Sequence, residues 1–415
     1  MNADNPSIRR LDDWSGDRLR EIADEYDTPL YVLDLDRVRE NCRRIAAAFP
    51  DAEPMYAAKA NTVRPVLETV ADEGFGVECA SAGETLRALD AGVSDDRVHY
   101  TAVNPPARDL DLVVERWNKD APELTITAGA ADTVDRLAER GFDGRLCVRI
   151  HPAVGAGHHE NVATGNDATF GVPHDRAGAL LDHAADRGMN VIGIHAHAGS
   201  GITNDDLDAH RALVERLAEV ARGRSDVSVI DVGGGFGVPY RPDEEPLDVD
   251  AVADATRDAL ADVDATLAVE PGRYLVADAG VLLTHVTTVK PTPAETVVGT
   301  DAGMTDLLRP AMYDAYHHVR SLAPDADERA VERVTLAGPI CEGSDVLGRD
   351  RPLPDPERGD LLAVGNAGAY GYEMASHYNS RPRPASVVIE DGDVRLARRR
   401  ETLADVTAVE VHDDE

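Results

Sequence analysis

The chain is 415 residues long, 43% hydrophobic but only 4% aromatic, and sets 77 acidic residues against 42 basic ones for a formal net charge of -35. That balance argues against nucleic acid and anionic membrane surfaces as partners, and regular apolar periodicity argues against an acidic disordered polymer. So large an excess of carboxylates repels itself in dilute buffer but is screened in molar salt, where the Debye length falls to about 3 Å, so the composition points to a folded, halophilic protein.

The opening stretch MNADNPSIRRLDDW lacks the apolar core of a signal peptide, and no apolar run elsewhere is long enough to span a bilayer. The four cysteines, Cys42, Cys79, Cys147 and Cys341, show neither metal-ligand spacing nor a disulfide framework. A reduced, cytoplasmic setting is expected. Between residues 54 and 270 short apolar runs alternate with longer amphipathic segments, predicting strands at 54–59, 75–79, 98–101, 123–127, 145–150, 191–195, 227–231 and 266–269. Segments 62–72, 132–140 and 205–221 carry apolar residues at helical spacing, and Ser81-Ala-Gly-Glu84 has the pattern of a capping box.

Eight such units predict an α/β fold, a parallel (β/α)8 barrel of the TIM type over 36–280. Beyond it the alternation stops. Strand candidates at 280–290, 295–300, 333–337, 360–364, 385–389 and 394–397, separated by Lys290-Pro-Thr-Pro293 and Arg351-Pro-Leu-Pro-Asp-Pro356, predict a mostly-β sandwich or barrel-like domain over 281–415, joined by residues 1–35. The chain ends in an acidic stretch, 413–415.

Active sites of such barrels lie where the strands end. Lys59, in Pro54-Met-Tyr-Ala-Ala-Lys-Ala-Asn61, ends the first predicted strand. Of the 42 basic residues only three are Lys (Lys59, Lys119, Lys290), leaving 39 Arg; arginine cannot lose its proton to form an imine, whereas a partly desolvated lysine can. Glu78 ends the second strand, His195 and His197 the sixth, Gly233-Gly-Gly-Phe-Gly237 follows the seventh and Glu270-Pro-Gly-Arg273 the eighth. The glycine run, with Gly234 and Gly235 at its centre, is suited to cradling a phosphate, to which Ser200 would add a hydroxyl. Lysine, phosphate cradle and carboxylate together are what pyridoxal 5'-phosphate requires: an amine for its aldehyde, Glu270 for its ring nitrogen and His197 against its ring.

These residues resemble the diaminopimelate decarboxylases, members of the fold-type III, alanine-racemase-like group of pyridoxal phosphate enzymes. The likeness runs from Thr28-Pro-Leu-Tyr-Val-Leu-Asp34 to Pro382-Arg-Pro384, with YAAKAN, GIHAHAGSG, DVGGGFG and EPGR in the family's order. It implies a lyase of lysine biosynthesis, converting meso-2,6-diaminopimelate to L-lysine and carbon dioxide, whose cofactor is held by Lys59, His197, Ser200, Gly234, Gly235, Glu270, Pro271, Gly272, Arg273 and Tyr370. Catalysis falls to Lys59 and Cys341, the latter as proton donor. Arg273, Arg309, Tyr313, Glu342 and Tyr370 are placed on the substrate, whose unreactive end carries a carboxylate for arginine and an ammonium for Glu342. The resemblance also implies a head-to-tail homodimer sharing its active sites through Cys341. A related decarboxylase acting on ornithine, arginine or a carboxylated polyamine is the alternative, and Arg309 with Tyr313 discriminates against it. The chain departs from the family at Gly201, in the order Gly343-Ser344-Asp345, and in the loosely matching stretch 151–171.

Overall fold

The structure, a computed structural model, describes residues 8–152, 170–197 and 199–411. The loosely matching stretch is therefore seen only at its ends, and 164–169 and 413–415 lie outside the described residues. The chain divides into two compact units: Arg39–Val238 with Pro246–Leu275, and Met1–Val38 with Pro239–Glu245 and Val276–Glu415.

In chain order β1 (Leu30–Asp34) precedes β2 (Ala52–Ala57), β3 (Gly76–Cys79), β4 (Val98–Tyr100), β5 (Thr125–Ala128), β6 (Arg145–His151), a two-residue β7 (Val172–Pro173), β8 (Asn190–His195), β9 (Val229–Asp231) and β10 (Thr266–Val269). All of these except β1 and β7 pair in the order β5-β4-β3-β2-β10-β9-β8-β6, and β6 pairs back onto β5, closing an eight-stranded barrel. Every ladder in it is parallel. Each of the eight expected strands overlaps one of these. Strands covered on both faces need no polar alternation, and β3, β5 and β9 are buried at every position. The helices between them bury one face each, as with Leu110, Val113 and Val114 of the helix Ala107–Asp120. Ser81 caps the helix Ala82–Asp90 by accepting from Glu84 N at 3.2 Å, while Glu84 Oε2 accepts from Ala80 N at 2.7 Å, so the reciprocal bond reaches one residue further back than the predicted box.

The second unit contains β1 with β11 (Gly280–Pro291), β12 (Thr296–Thr300), β13 (Val319–Ser321), β14 (Val331–Ala337), β15 (Val346–Pro354), β16 (Leu361–Val364), β17 (Ala385–Glu390) and β18 (Asp393–Arg398). They join in the order β15-β14-β12-β11-β1-β17-β18, with β16 on β11 and β13 on β16. Alternate residues serve two cores. Leu30, Val32, Val281, Leu283, Leu361 and Ala363 pack with Leu19 and Ile22 of the helix Gly16–Tyr26, whereas Tyr31, Leu282, Leu362 and Val364 pack with Val298, Leu307 and Leu336. A sheet buried on both faces explains why β1 reads as an unbroken apolar run.

Two strands went unpredicted for identifiable reasons. β1 is separated in sequence from its antiparallel partner β11 by the whole barrel. β15 contains Pro352 and Pro354, which read as turn residues; it sits at the sheet margin with β14 as its partner, where a missing N–H costs no ladder bond. The short β13 was also unexpected, whereas Lys290-Pro-Thr-Pro293 does turn, with Thr292 N donating to Glu295 O at 2.9 Å.

Candidate active site

In the barrel unit β2 ends at Ala57, and Lys59 occupies a 3-10 turn over Ala58–Ala60 whose two alanines are buried. Burying its neighbours directs Lys59 outward: its side chain is 38% exposed, and Nζ donates to Glu78 Oε2 at 2.8 Å. Glu78 is itself buried in β3. Loss of water raises its carboxyl above the usual range, against the pull of Lys59.

At the ends of β8, β9 and β10, His195, Asp231 and Glu270 bring ligand atoms within 4.8 Å of one another, all buried. Their charges are divided. Burial alone would raise Glu270, yet His195 and, after it, the Lys59 cation hold it well below the ordinary carboxylate range. Asp231 moves the other way: burial and the neighbouring Glu270 charge push it far up, although it accepts from Gly233 N at 2.8 Å. One carboxylate stays ionised because the other stays protonated. A neutral Asp231 makes the trio a poor cation site. Glu270 Oε2 lies 3.4 Å from His195 Nε2, while Oε1 has no hydrogen-bond partner among the described residues. That open acceptor on a held anion fits a protonated ring nitrogen.

His197 is pushed down to about 3, first by loss of water and then by the Lys59 and Arg149 cations. Gly234 N donates to its Nδ1 at 3.2 Å, which a neutral ring accepts. The glycine loop is drawn tight. Gly201 N and Ile202 N both donate to Gly235 O, at 3.0 and 2.8 Å, and Glu270 N donates to Gly233 O at 2.9 Å. A side chain at Gly234 would meet Glu270 O at 2.0 Å, and one at Gly272 would meet Ala57 Cβ at 3.0 Å, so both glycines let neighbouring strand ends converge. Pro271 O accepts from Ala57 N at 3.4 Å, tying the Glu270 turn to the strand before Lys59. Arg273 Nη2 donates to Ser200 Oγ at 2.9 Å, holding that hydroxyl beside the loop. The glycine loop and the Ser200 hydroxyl thus lie on the face that carries Glu270, and the residue types present fit pyridoxal phosphate: backbone and hydroxyl for its phosphate, an ionised carboxylate for its ring nitrogen.

The β-unit carries the remaining candidates. Arg309 begins the short helix Arg309–Tyr313 and is buried at 8% exposure, with Tyr313 half-buried at the other end. Cys341 and Glu342 are exposed between β14 and β15; Cys341 Sγ accepts from Asn379 Nδ2 at 3.5 Å and Glu342 Oε1 from Tyr378 OH at 2.5 Å. Asp345 pins that loop, its two oxygens accepting from Met304 N and Ile340 N at 2.6 Å each, so the departure at Gly343-Ser344 leaves the loop anchored. Tyr370 sits at φ 55, a left-handed conformation uncommon for a tyrosine and maintained only where surrounding structure requires it.

Glu78 and Asp231 were visible in the sequence at strand ends but were given no role there. The usable signal was a carboxylate at the last or next-to-last position of an otherwise apolar barrel strand, a place where burial must perturb it.

Residues 35–277 match the family model described as the pyridoxal binding domain of pyridoxal-dependent decarboxylases. The chain is 42% identical to a diaminopimelate decarboxylase of Methanothermobacter thermautotrophicus over 93% of its length and 92% of the relative's. It is 36% identical to the enzyme of that name from Aquifex aeolicus, covering 93% and 92%. The solved diaminopimelate decarboxylase of Helicobacter pylori complexed with L-lysine superposes with a TM-score of 0.88 at 31% identity, over 94% of this chain and 99% of that one. With the motifs, the closed barrel and near full-length identity in agreement, the chain belongs to the diaminopimelate decarboxylase family of pyridoxal-dependent decarboxylases.

Proposed function

We propose that this chain is a pyridoxal phosphate-dependent carboxy-lyase that decarboxylates meso-2,6-diaminopimelate to L-lysine and carbon dioxide, the last step of lysine biosynthesis. The observation that carries the reading is Glu270, a buried carboxylate held ionised with one oxygen open, on the barrel face that also bears Lys59 and the glycine loop. When bound, pyridoxal phosphate supplies an electron sink for the pair left behind as the carboxylate departs.

The chain's own residues do the rest. Lys59 is the amine for the cofactor's aldehyde, with Glu78 as its counter-charge when free. Glu270 and a neutral His197 hold the ring, while Ser200, Gly234, Gly235, Pro271, Gly272, Arg273 and Tyr370 make the remaining cofactor contacts. In the substrate one carbon–carbon bond breaks, carbon dioxide leaves, and the α-carbon gains a single proton, for which Cys341 is the donor. Arg273, Arg309 and Tyr313 take the unreactive carboxylate, Glu342 its ammonium, and Tyr370 touches both substrate and cofactor.

Cys341 and Glu342 are exposed on the single chain, whereas proton delivery to carbon needs a water-poor site; a homodimer in which each subunit completes the other's site supplies that cover. Mixing inactive Lys59→Ala and Cys341→Ala variants should restore about a quarter of wild-type activity through hybrid dimers. A salt-rich cytoplasm is the setting the -35 charge favours, and thermal stability should rise from millimolar to molar KCl. No described helix is long and apolar enough to cross a membrane.

The decisive assay incubates the purified, cofactor-loaded protein in molar KCl with meso-diaminopimelate, ornithine or arginine. Lysine and carbon dioxide should form in equal amounts from the first alone. Turnover of ornithine or arginine with none of diaminopimelate would overturn the assignment. Lys59→Ala should abolish both turnover and the lysine-bound cofactor's absorbance band.

A further inference from the structure

Arg309 is a buried cation in a chain that otherwise keeps most of its arginines near the surface. Its surroundings determine where its N–H groups can point. Arg309 Nη1 lies 2.9 Å from His317 Nε2, and His317 Nδ1 lies 2.8 Å from Gly365 O. A carbonyl oxygen only accepts, so Nδ1 must carry the ring's proton; a guanidinium only donates, so Nε2 must offer its lone pair. The two partners, each with a fixed role, leave His317 a single neutral tautomer. The ring is fully buried, at 0% exposure, and cannot turn to exchange its nitrogens without losing both bonds.

A second constraint acts across the plane of the guanidinium. Arg309 Cζ stands 4.8 Å from the centroid of the Tyr240 ring, and Tyr240 in turn packs edge-on against His317, with centroids 5.1 Å apart and an interplanar angle of 81°. Arg309, His317 and Tyr240 therefore form a trio in which the histidine fixes one N–H direction and the tyrosine face fixes the tilt. Tyr240 comes from Pro239–Glu245, which follows the glycine loop in sequence yet belongs to the compact unit of Val276–Glu415.

We propose that His317 and Tyr240 are positioning residues that orient the Arg309 guanidinium toward the unreactive carboxylate of the substrate. This rests on the role given to Arg309 above. A paired arginine–carboxylate bond depends on both direction and plane, which is what the trio supplies, and no contact of either residue with substrate is required.

The test uses holoenzyme and two readouts, steady-state kinetics with meso-diaminopimelate and L-lysine binding, since the product retains the same carboxylate. In His317→Asn the amide nitrogen stands near Nδ1 and keeps the bond to Gly365 O, while the acceptor for Arg309 is lost. KM and the lysine dissociation constant should both rise about tenfold or more, with kcat and cofactor loading little changed. His317→Gln, whose amide oxygen reaches the Nε2 position, should recover most of that loss. Tyr240→Phe keeps the ring face and should retain most of the affinity, whereas Tyr240→Leu should reproduce the KM defect without touching the histidine. Thermal melts in the same buffer identify any variant that is simply unfolded, and the Tyr240 pair then decides alone. Unchanged KM and lysine binding in folded His317→Asn and Tyr240→Leu would overturn the inference while leaving the activity intact. A wild type that neither turns over diaminopimelate nor binds lysine would overturn the proposed function, and this inference with it.

Discussion

Replacing Gly234 with alanine tests whether convergence of the β9 and β10 ends builds the cofactor site. The constraint there is contact, not conformation, since Gly234 is not among the residues with positive φ. Its added Cβ would lie 2.0 Å from Glu270 O and 3.0 Å from Glu270 C, and real Cβ contacts essentially never fall below 3.0 Å. One of the two strand ends must therefore move by about 1 Å, a misplacement that costs about a hundredfold when it displaces a reacting group. Neither end moves freely, because Glu270 N is bonded to Gly233 O at 2.9 Å and Pro271 O to Ala57 N at 3.4 Å, so the shift passes to the Glu270 carboxylate and to the turn before Lys59. Overpacking of this kind destabilises by about 1–3 kcal/mol. Cofactor titration by absorbance, kcat/KM for meso-diaminopimelate and a melt in molar KCl should show weakened cofactor binding, activity down about a hundredfold and a moderate loss of stability. Gly83→Ala is the control: its Cβ meets only Ser81 Oγ at 3.7 Å, in the helix Ala82–Asp90, so it should gain up to about 1 kcal/mol and keep full activity. A Gly234→Ala enzyme with normal cofactor affinity and activity within about threefold of wild type would refute the reasoning.

Arg37 is fully buried and donates from Nε and Nη2 to Asp278 Oδ2 at 3.2 and 2.8 Å; Arg37→Met should cost about 3–5 kcal/mol in denaturant unfolding by taking the buried cation from that carboxylate, and Arg37→Met with Asp278→Asn should cost clearly less. His99 and His210 are both pushed down from 6.5 to about 4, chiefly by burial, and His210 Nε2 donates to Thr256 Oγ1 at 2.7 Å. Because their folded values are depressed, both are neutral in the fold; the stability they contribute is complete above pH 6.5 and drains away as pH falls through 4. His210→Gln should flatten that acid slope by about 1.4 kcal/mol per pH unit, and an unchanged slope would count against the assignment. Asp345→Asn turns an amide N–H toward Met304 N or Ile340 N and should cost about 1–3 kcal/mol; if the loop it pins presents Cys341 and Glu342, turnover should fall while the cofactor absorbance stays normal.

The sequence by itself determined the barrel and most of its chemistry. A parallel strand covered on both faces must be apolar along its length and must be followed by an amphipathic crossover, so 54–59 through 266–269 announced themselves locally. Lys59, the glycine loop and Glu270 then fell at strand ends because the fold leaves reactive groups nowhere else to converge. What the sequence lacked was anything that depends on residues distant in the chain. β1 is a strand because β11 and β17 flank it, and β15 tolerates its prolines because it lies at a margin; neither fact is local. The protonation of Asp231 and the ionisation of Glu270 follow from three strand ends meeting in a space without water, and no spacing encodes that charge division. Tyr240 sits three residues past a glycine loop that reads as part of the barrel, yet tertiary packing gives it to Arg309 in the other unit. Periodicity reports which face of an element is buried, whereas tautomer, proton position and guanidinium orientation are set by which partners the folded chain brings within about 3 Å.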